Sequence, residues 1–238
     1  MTKRQNQGIF ANLTGGIGTK GRWMGQGNVN RFNDHNQFSI MANLNNTNDM
    51  GFPGGGGGFR MGGNNGLTTR KLFGGNFAME TSKLEMGGSL RYSYSKNDVQ
   101  TVSSSFNNES QFAKYSNSNS ARLAKSQSLN FDYRLEWKPT KFDNLIFRPR
   151  ASWSKNDNTG STYTTNSNED PNSNDTFLSG IQSFLSGSGI SVLEALPEYL
   201  VVNLVNAQKQ ESLSHSKSTN VSGELQYNHK FGESGRNL

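Results

Sequence analysis

The chain has 238 residues, of which only 31% are hydrophobic, and its mean hydropathy is −0.76. Soluble domains are usually about 45–50% apolar, so this sequence has little with which to fill a core between two layers. The absence of cysteine excludes a disulfide scaffold, a cysteine zinc site and a thiolate nucleophile. The net charge is +6, but the basic residues are scattered, so we do not expect nucleic acid as a partner.

Eight segments show strand-like patterns, most of them with a period of two. In the clearest one, Leu84, Leu90 and Tyr94 fall on one face, whereas Glu85 and Ser89 fall on the other. Successive strand residues point to opposite faces, so each such segment predicts a strand with one apolar and one polar face. The predicted strands lie near residues 8–18, 23–32, 37–45, 67–81, 84–96, 127–138, 145–154 and 218–231.

The connections between these segments alternate in length. Short turns fall near residues 33, 82, 139 and 232, and three of the four other connections are long, at 45–66, 97–126 and 155–217. Bacterial outer-membrane barrels show this asymmetry between short periplasmic turns and long extracellular loops. We therefore predict an all-β fold: an antiparallel up-and-down transmembrane β-barrel wall with long extracellular loops. A soluble sheet with one wet face gives the same alternation, and the Gly, Asn and Ser content also fits disorder.

The longest predicted loop contains a helical pattern. Phe177, Ile181, Phe184 and Leu185 recur at helical spacing, and an apolar stretch continues past Pro197. We interpret this as an amphipathic loop helix that packs over the barrel mouth, with a substrate-gripping lid as the alternative. Phe177 and Phe184 are therefore candidates for ligand contact.

Glycine-rich motifs in the chain lack the context of nucleotide sites. The run 16–21 fits G-x-G-x-x-G, but a returning strand and not a helix follows it. Five consecutive glycines at 54–58 have no Gly-Lys-Ser/Thr after them, so they indicate a flexible external loop in which Phe59 and Arg60 are candidates for ligand contact.

A weak calcium candidate lies at Asp170, Asn172 and Asn174, which copy the first, third and fifth ligand positions of a calcium loop. Asp175 stands where that loop needs glycine, and Ile181 where it needs a bidentate acid, so an EF-hand is excluded. The three histidines are far apart in sequence, and no acid–base or nucleophile constellation can be assembled. We therefore predict neither an enzyme nor a cofactor.

Nine short segments of strand and turn residues carry a resemblance to a known family. They lie at residues 8–12, 18–22, 28–33, 45–48, 65–69, 147–149, 153–156, 225–231 and 235–238. Together they resemble the early barrel of TonB-dependent outer-membrane receptors of the Bacteroidetes type. Such receptors have a plug domain, a TonB box and a barrel of about 22 strands. The resemblance implies the bacterial outer membrane as the location, with transport of a bulky nutrient, a metal chelate or an oligosaccharide, as the function.

The resemblance also implies the partners: outer-membrane lipid, the remainder of the barrel and its plug, TonB acting through that plug, and an unidentified nutrient ligand. No apolar signal-peptide region follows Met1 and no plug precedes Gly8, so we expect about eight strands of a larger barrel, with open edges that aggregate outside detergent. The alternative is a small outer-membrane β-barrel with a structural or adhesive role and no transport.

Overall fold

The computed structural model describes residues 7–48, 66–109, 112–231 and 236–237, the last two by their backbone alone. Nine strands lie in this part of the chain: β1 (Gly8–Gly18), β2 (Arg22–Phe32), β3 (Asn36–Asn45), β4 (Leu67–Glu80), β5 (Leu84–Phe106), β6 (Tyr115–Trp137), β7 (Asp143–Ser167), β8 (Leu204–Phe231) and β9 (Arg236–Asn237). The helices are a 3-10 turn (Pro171–Ser173), α1 (Asp175–Leu185), α2 (Ser191–Glu194) and α3 (Glu198–Val201).

The strands form one sheet whose spatial order is the order of the chain, from β1 to β9. The registers of β1 with β2, β2 with β3, and β3 with β4 are all antiparallel. The predicted antiparallel up-and-down sheet of eight long strands is therefore confirmed, and β9 adds two residues to β8. Among the described strands the order is linear, and β1 does not pair with β8.

Hairpin geometry explains why the glycine run at 16–21 is not a nucleotide loop. β1 ends at Gly18 and β2 begins at Arg22, so the run lies in a tight turn between two strands. Lys20 and Gly21 both have positive φ, at 57° and 68°, which is the left-handed conformation that such turns require. No helix N-terminus is present there to hold a pyrophosphate.

The chain divides into two compact units. Unit 1 comprises residues 1–96, 125–156 and 215–238, and unit 2 comprises residues 97–124 and 157–214. β1 to β4 belong to unit 1, whereas β5 to β8 contribute residues to both units. The three helices belong to unit 2.

Unit 2 has its own apolar core, built around α1. Phe177, Ile181 and Phe184 are almost fully buried, together with Leu193 from α2 and Leu200 from α3. The Asn174 side chain caps α1 by accepting hydrogen bonds from the backbone N–H groups of residues 176 and 177. α1 thus lies where the helical spacing of Phe177, Ile181 and Phe184 predicts a helix.

Two of the predicted long loops are shorter than expected because the strands extend further. β5 and β6 continue through most of residues 97–126, and the helical connection spans 168–203 rather than 155–217. These extensions carry few apolar residues and none in regular alternation, so no apolar alternation marks them in the sequence. Hydroxyl pairs join them across the strands, as in Ser103 with Ser118 (Oγ to Oγ 2.8 Å) and Ser120 with Thr162 (Oγ to Oγ1 3.1 Å).

Candidate membrane-facing surface

The two faces of the unit 1 sheet can be assigned from the strand registers, because residues directly opposite each other in an antiparallel pair share a face. Ile17 pairs with Trp23, Val29 with Ile40, and Phe38 with Phe77. These pairs place the apolar members of successive strands on one face, which we call the apolar face. The alternate residues, including the opposed Gln26 and Asn43, form the polar face.

The apolar face is exposed. Leu90 is 52% exposed, Ile40 50% and Phe73 46%, although each lies on a strand in the interior of the sheet order. The same holds across the strands of unit 1, for Ile9, Leu13, Ile17, Val29, Phe38, Leu67, Phe77, Leu129, Phe131, Phe147, Val221, Leu225 and Tyr227. Soluble sheets bury such a face against a second layer, and soluble monomers rarely expose large contiguous apolar patches.

Apart from Ile146, the described residues that are buried in this sheet are instead polar. Gln26, Ser39, Asn43, Asn45 and Thr68 are all less than 9% exposed. Three of them hydrogen bond to one another: Asn45 Nδ2 donates to Asn43 Oδ1 at 2.8 Å, and Asn43 Nδ2 lies 3.5 Å from Gln26 Oε1. The distribution is thus the reverse of that in a soluble protein, with polar groups sheltered and large apolar groups outside.

The apolar stretch of each long strand has a limited length, which defines an apolar band. It runs from Leu84 to Tyr94 in β5, from Leu129 to Trp137 in β6 and from Leu145 to Trp153 in β7. Each stretch matches the roughly 9–11 residues that a tilted strand needs to cross the hydrocarbon of a bilayer. All three stretches lie within unit 1, and the polar extensions of the same strands lie in unit 2.

Aromatic residues mark both ends of this band. The three tryptophans of the chain all lie on the apolar face: Trp23 and Trp153 at the end of the long connections, and Trp137 at the end of the short turns. Trp23 is 37% exposed and Trp137 is 46% exposed. Amphipathic aromatic rings at both edges of an apolar band are the girdles of transmembrane barrels.

Several charges on the polar face are paired across or along strands. Arg134 contacts Glu136 (Nη2 to Oε2, 2.6 Å) and Glu85 (Nη1 to Oε1, 3.6 Å), and Lys138 contacts the other oxygen of Glu136 at 3.0 Å. Arg148 Nη1 lies 3.3 Å from a carboxylate oxygen of Glu224 on β8. These contacts place Arg134, Lys138 and Arg148 on the polar face or at its rim.

A cluster of hydrogen bonds surrounds Asp143 at the short-turn end, outside the apolar band. Asp143 accepts hydrogen bonds from the Thr140 hydroxyl and from the Tyr227 hydroxyl at 2.7 Å, and its Oδ1 lies 2.7 Å from His229 Nδ1. These hydrogen bonds lower the pKa of Asp143 from 3.8 to about 2, and the bond from Thr140 has the largest effect. The cluster ties the β6–β7 turn to β8 and keeps the carboxylate ionised.

The sequence-predicted ligand contacts are Phe59, Arg60, Phe177 and Phe184. Phe59 and Arg60 lie outside the described residues. Phe177 is completely buried and Phe184 is 3% exposed, with its ring edge-on to Tyr163 at a centroid distance of 5.6 Å. These two side chains are core residues of unit 2, because the apolar side of an amphipathic helix packs inward when neighbouring elements cover it.

Two of the three weak calcium candidates, Asp170 and Asn174, act as helix caps. Asp170 Oδ1 accepts hydrogen bonds from the backbone N–H and the Nδ2 of Asn172, both at 2.9 Å, and Asn174 caps α1. Side-chain oxygens engaged in this way satisfy the free N–H groups at a helix start. In the described ranges, no group of three or more acidic, histidine or cysteine residues is arranged to hold a metal ion.

Sequence reasoning did not find the Asp143 cluster, because Tyr227 and His229 are far from Asp143 in the chain and reach it only through the β7–β8 register. No helix in the described residues is long and apolar enough to cross a membrane. Comparison with protein-family models, with curated proteins and with solved structures gives no match for this chain.

Proposed function

We propose that this chain forms part of the wall of a bacterial outer-membrane β-barrel, with its apolar face toward lipid and its polar face toward a lumen. The observation that carries the proposal is the inverted burial of unit 1. Leu90 and Ile40 are exposed while Asn43, Asn45 and Thr68 are buried. Lipid solvates an exposed apolar face, whereas water does so only at a large cost in free energy.

The polar face supports transport as the role of this wall. It carries amides, hydroxyls and paired charges such as Arg148 with Glu224, which suit a water-filled interior. We propose the barrel of a TonB-dependent transporter for bulky nutrients, metal chelates or oligosaccharides, as the resemblance in sequence implies. Side chains alone fill the interior of an eight-stranded barrel. A lumen wide enough to need a plug would therefore require further strands beside these eight.

A structural or adhesive role is the other candidate, and disruption of the gene in its host distinguishes the two. We expect loss of growth on one nutrient at limiting concentration, restored by a plasmid copy. The TonB component should be required for the same growth. Unchanged growth on every nutrient, together with greater sensitivity of the envelope to detergent, would favour the structural role.

A further inference from the structure

One face of the unit 2 strands carries only hydroxyl and amide side chains over three successive rows. Each row crosses β5, β6, β7 and β8. The rows run from Thr101 to Gln210, from Ser103 to Gln208 and from Ser105 to Asn206, and all their members are Ser, Thr, Asn or Gln. We call this set the hydroxyl–amide surface.

Hydrogen bonds between side chains of adjacent strands fix these rows, one for each pair of neighbouring strands. They join Ser103 Oγ to Ser118 Oγ at 2.8 Å, Ser120 Oγ to Thr162 Oγ1 at 3.1 Å, and Asn166 Nδ2 to Asn206 Oδ1 at 2.7 Å. Residues directly opposite each other share a face, and steps of two residues along antiparallel strands keep both the pairing and the face. The three bonds therefore determine which residues stand side by side in each row.

The helices of unit 2 cover the other face of these strands. The Tyr163 ring lies edge-on to Phe184 at a centroid distance of 5.6 Å, and Asn119 Nδ2 donates to the backbone oxygen of Leu185 at 2.9 Å. Ala207 also packs against the helical core. Each of these strand residues is one position out of step with the hydroxyl–amide surface, so that surface faces away from the helices.

The hydroxyl–amide surface is accessible. Its members on β5 and β8 are exposed, and those on β6 and β7 are half-buried. A hydroxyl donates one hydrogen bond and accepts two, whereas a side-chain amide donates two and accepts two. Each cross-strand bond uses only one of these sites on each side chain that it joins, so donors and acceptors remain for a ligand.

Two cations lie on the same face, one beyond each end of the surface. By the same register Arg122 lies opposite Val99 and Gly160, and its side chain is exposed. Lys114 lies opposite Asn107, whose backbone N–H donates to the Lys114 carbonyl oxygen at 2.8 Å. Among the described strand residues of unit 2 that share this face, none is Asp or Glu. The surface is therefore uncharged in its middle and positive at its ends.

The separation of these cations indicates an extended ligand. Arg122 follows Lys114 by eight residues along β6. At about 3.4 Å per residue, the two positions are roughly 27 Å apart along the strand. A compact ligand covers only part of this length, whereas an extended chain contacts both ends and the rows between them.

We propose that the hydroxyl–amide surface binds an acidic oligosaccharide. Sugar hydroxyls both donate and accept, so they match side chains that do the same. Carboxylates along the sugar chain form charge-assisted hydrogen bonds with Arg122 and Lys114, and no carboxylate of the surface repels them. This inference rests on the proposed transport function, for which it selects the class of ligand.

The test is calorimetric titration of the full chain in a neutral detergent without a sugar headgroup. The probes are an oligomer of galacturonic acid and the uncharged oligomer maltoheptaose. Arg122→Gln should weaken binding of the acidic oligomer about tenfold, because an exposed hydrogen bond to a charged group is lost, and Arg122→Lys should retain most of it. Binding of maltoheptaose should be weaker than that of the acidic oligomer and should not change in Arg122→Gln.

The matched control for charge is Lys209→Gln. It removes the same charge from unit 2, but on the face toward the helices, where Lys209 Nζ lies 5.8 Å from the centre of the Tyr163 ring. This variant should bind both probes like the parent chain. Equal binding of the acidic oligomer by Arg122→Gln and Lys209→Gln would overturn the role of the cations, and equal binding of the two probes by the parent chain would overturn the acidic class.

A second pair of variants tests the hydroxyls. Thr164→Val replaces the hydroxyl in the middle row by a methyl group of similar size, and Thr159→Val does the same on the opposite face of β7. Loss of one neutral hydrogen bond should weaken binding of the acidic oligomer roughly two- to tenfold in Thr164→Val and leave it unchanged in Thr159→Val. Equal binding by these two variants would overturn the proposed surface.

The titration and the growth experiment on the disrupted gene separate this inference from the proposed function. If the parent chain binds no acidic oligomer while disruption still abolishes growth on one nutrient, the inference fails and transport stands. If the acidic oligomer binds as described but growth is unchanged on every nutrient, the binding surface stands and transport fails.

Discussion

Leu90 and Ser89 are adjacent in β5, and arginine at these two positions should have opposite consequences. Leu90 lies near the middle of the apolar stretch from Leu84 to Tyr94, and its side chain is 52% exposed on the apolar face. Ser89 lies on the polar face, where its hydroxyl donates to Asp132 Oδ1 at 2.5 Å. An arginine at 89 therefore lies near a carboxylate, whereas an arginine at 90 would lie in hydrocarbon if the apolar face is the proposed membrane wall.

The expected loss of stability depends on how deep the substituted residue lies in the bilayer. Arginine on the lipid face of a barrel costs about 2–4 kcal/mol at the bilayer midplane and about 0–1 kcal/mol near the interfaces. Leu90→Arg should therefore lower the free energy of unfolding by about 3 kcal/mol, and Leu84→Arg, at the edge of the band, should lower it by less. If unit 1 were a soluble sheet, arginine at an exposed position would change stability by only about 0.5 kcal/mol.

The assay is folding of the chain into lipid vesicles, followed by denaturant titration. Leu90→Arg should shift the midpoint strongly, and Ser89→Arg should leave it near that of the parent. Equal stability of the two variants in lipid would refute the assignment of faces.

Three further predictions concern particular contacts. The lowered pKa of Asp143 implies stabilisation that is complete above its unfolded pKa of 3.8 and lost as pH falls toward 2, so Asp143→Asn should weaken resistance to urea at about pH 6 but not at about pH 2. A Cβ at Gly88 would lie 2.7 Å from the backbone oxygen of Asp132, so Gly88→Ala should lower the free energy of unfolding, measured by urea titration, by about 1–3 kcal/mol, whereas Gly25→Ala, with no atom within 4 Å, should not. Phe177→Ala should cost unit 2 about 3–5 kcal/mol and expose it to proteolysis, unlike Tyr199→Ala at a side chain that is 65% exposed.

The sequence predicts the strands best where apolar and polar residues alternate. β1 spans residues 8–18 as expected, and the apolar faces of β5 and β6 contain Leu90 and Phe131 as the alternation indicates. The alternation is informative because lipid or a core must take up one face only. The helix at Phe177 was predicted for the same reason, since its apolar residues recur at helical spacing.

The polar extensions of β5 to β8 could not be predicted from alternation, because they carry few apolar residues and none in regular alternation. Their stability comes from backbone ladders and from hydroxyl pairs such as Ser103 with Ser118, which leave no periodic signal. The ligand role expected for Phe184 shows a second limit of prediction from sequence. An apolar helix face is the same in sequence whether a ligand or a protein core covers it, and here the core of unit 2 covers it.

Depth-dependent quenching of tryptophan fluorescence tests the membrane-facing surface most directly. Trp23, Trp137 and Trp153 are the only tryptophans, and all three lie on the apolar face at the ends of the band. In vesicles, lipids brominated close to the headgroup should quench this fluorescence more strongly than lipids brominated at the chain terminus, and aqueous iodide should quench it weakly. Strong quenching by iodide with none by either brominated lipid would contradict a lipid-facing apolar band.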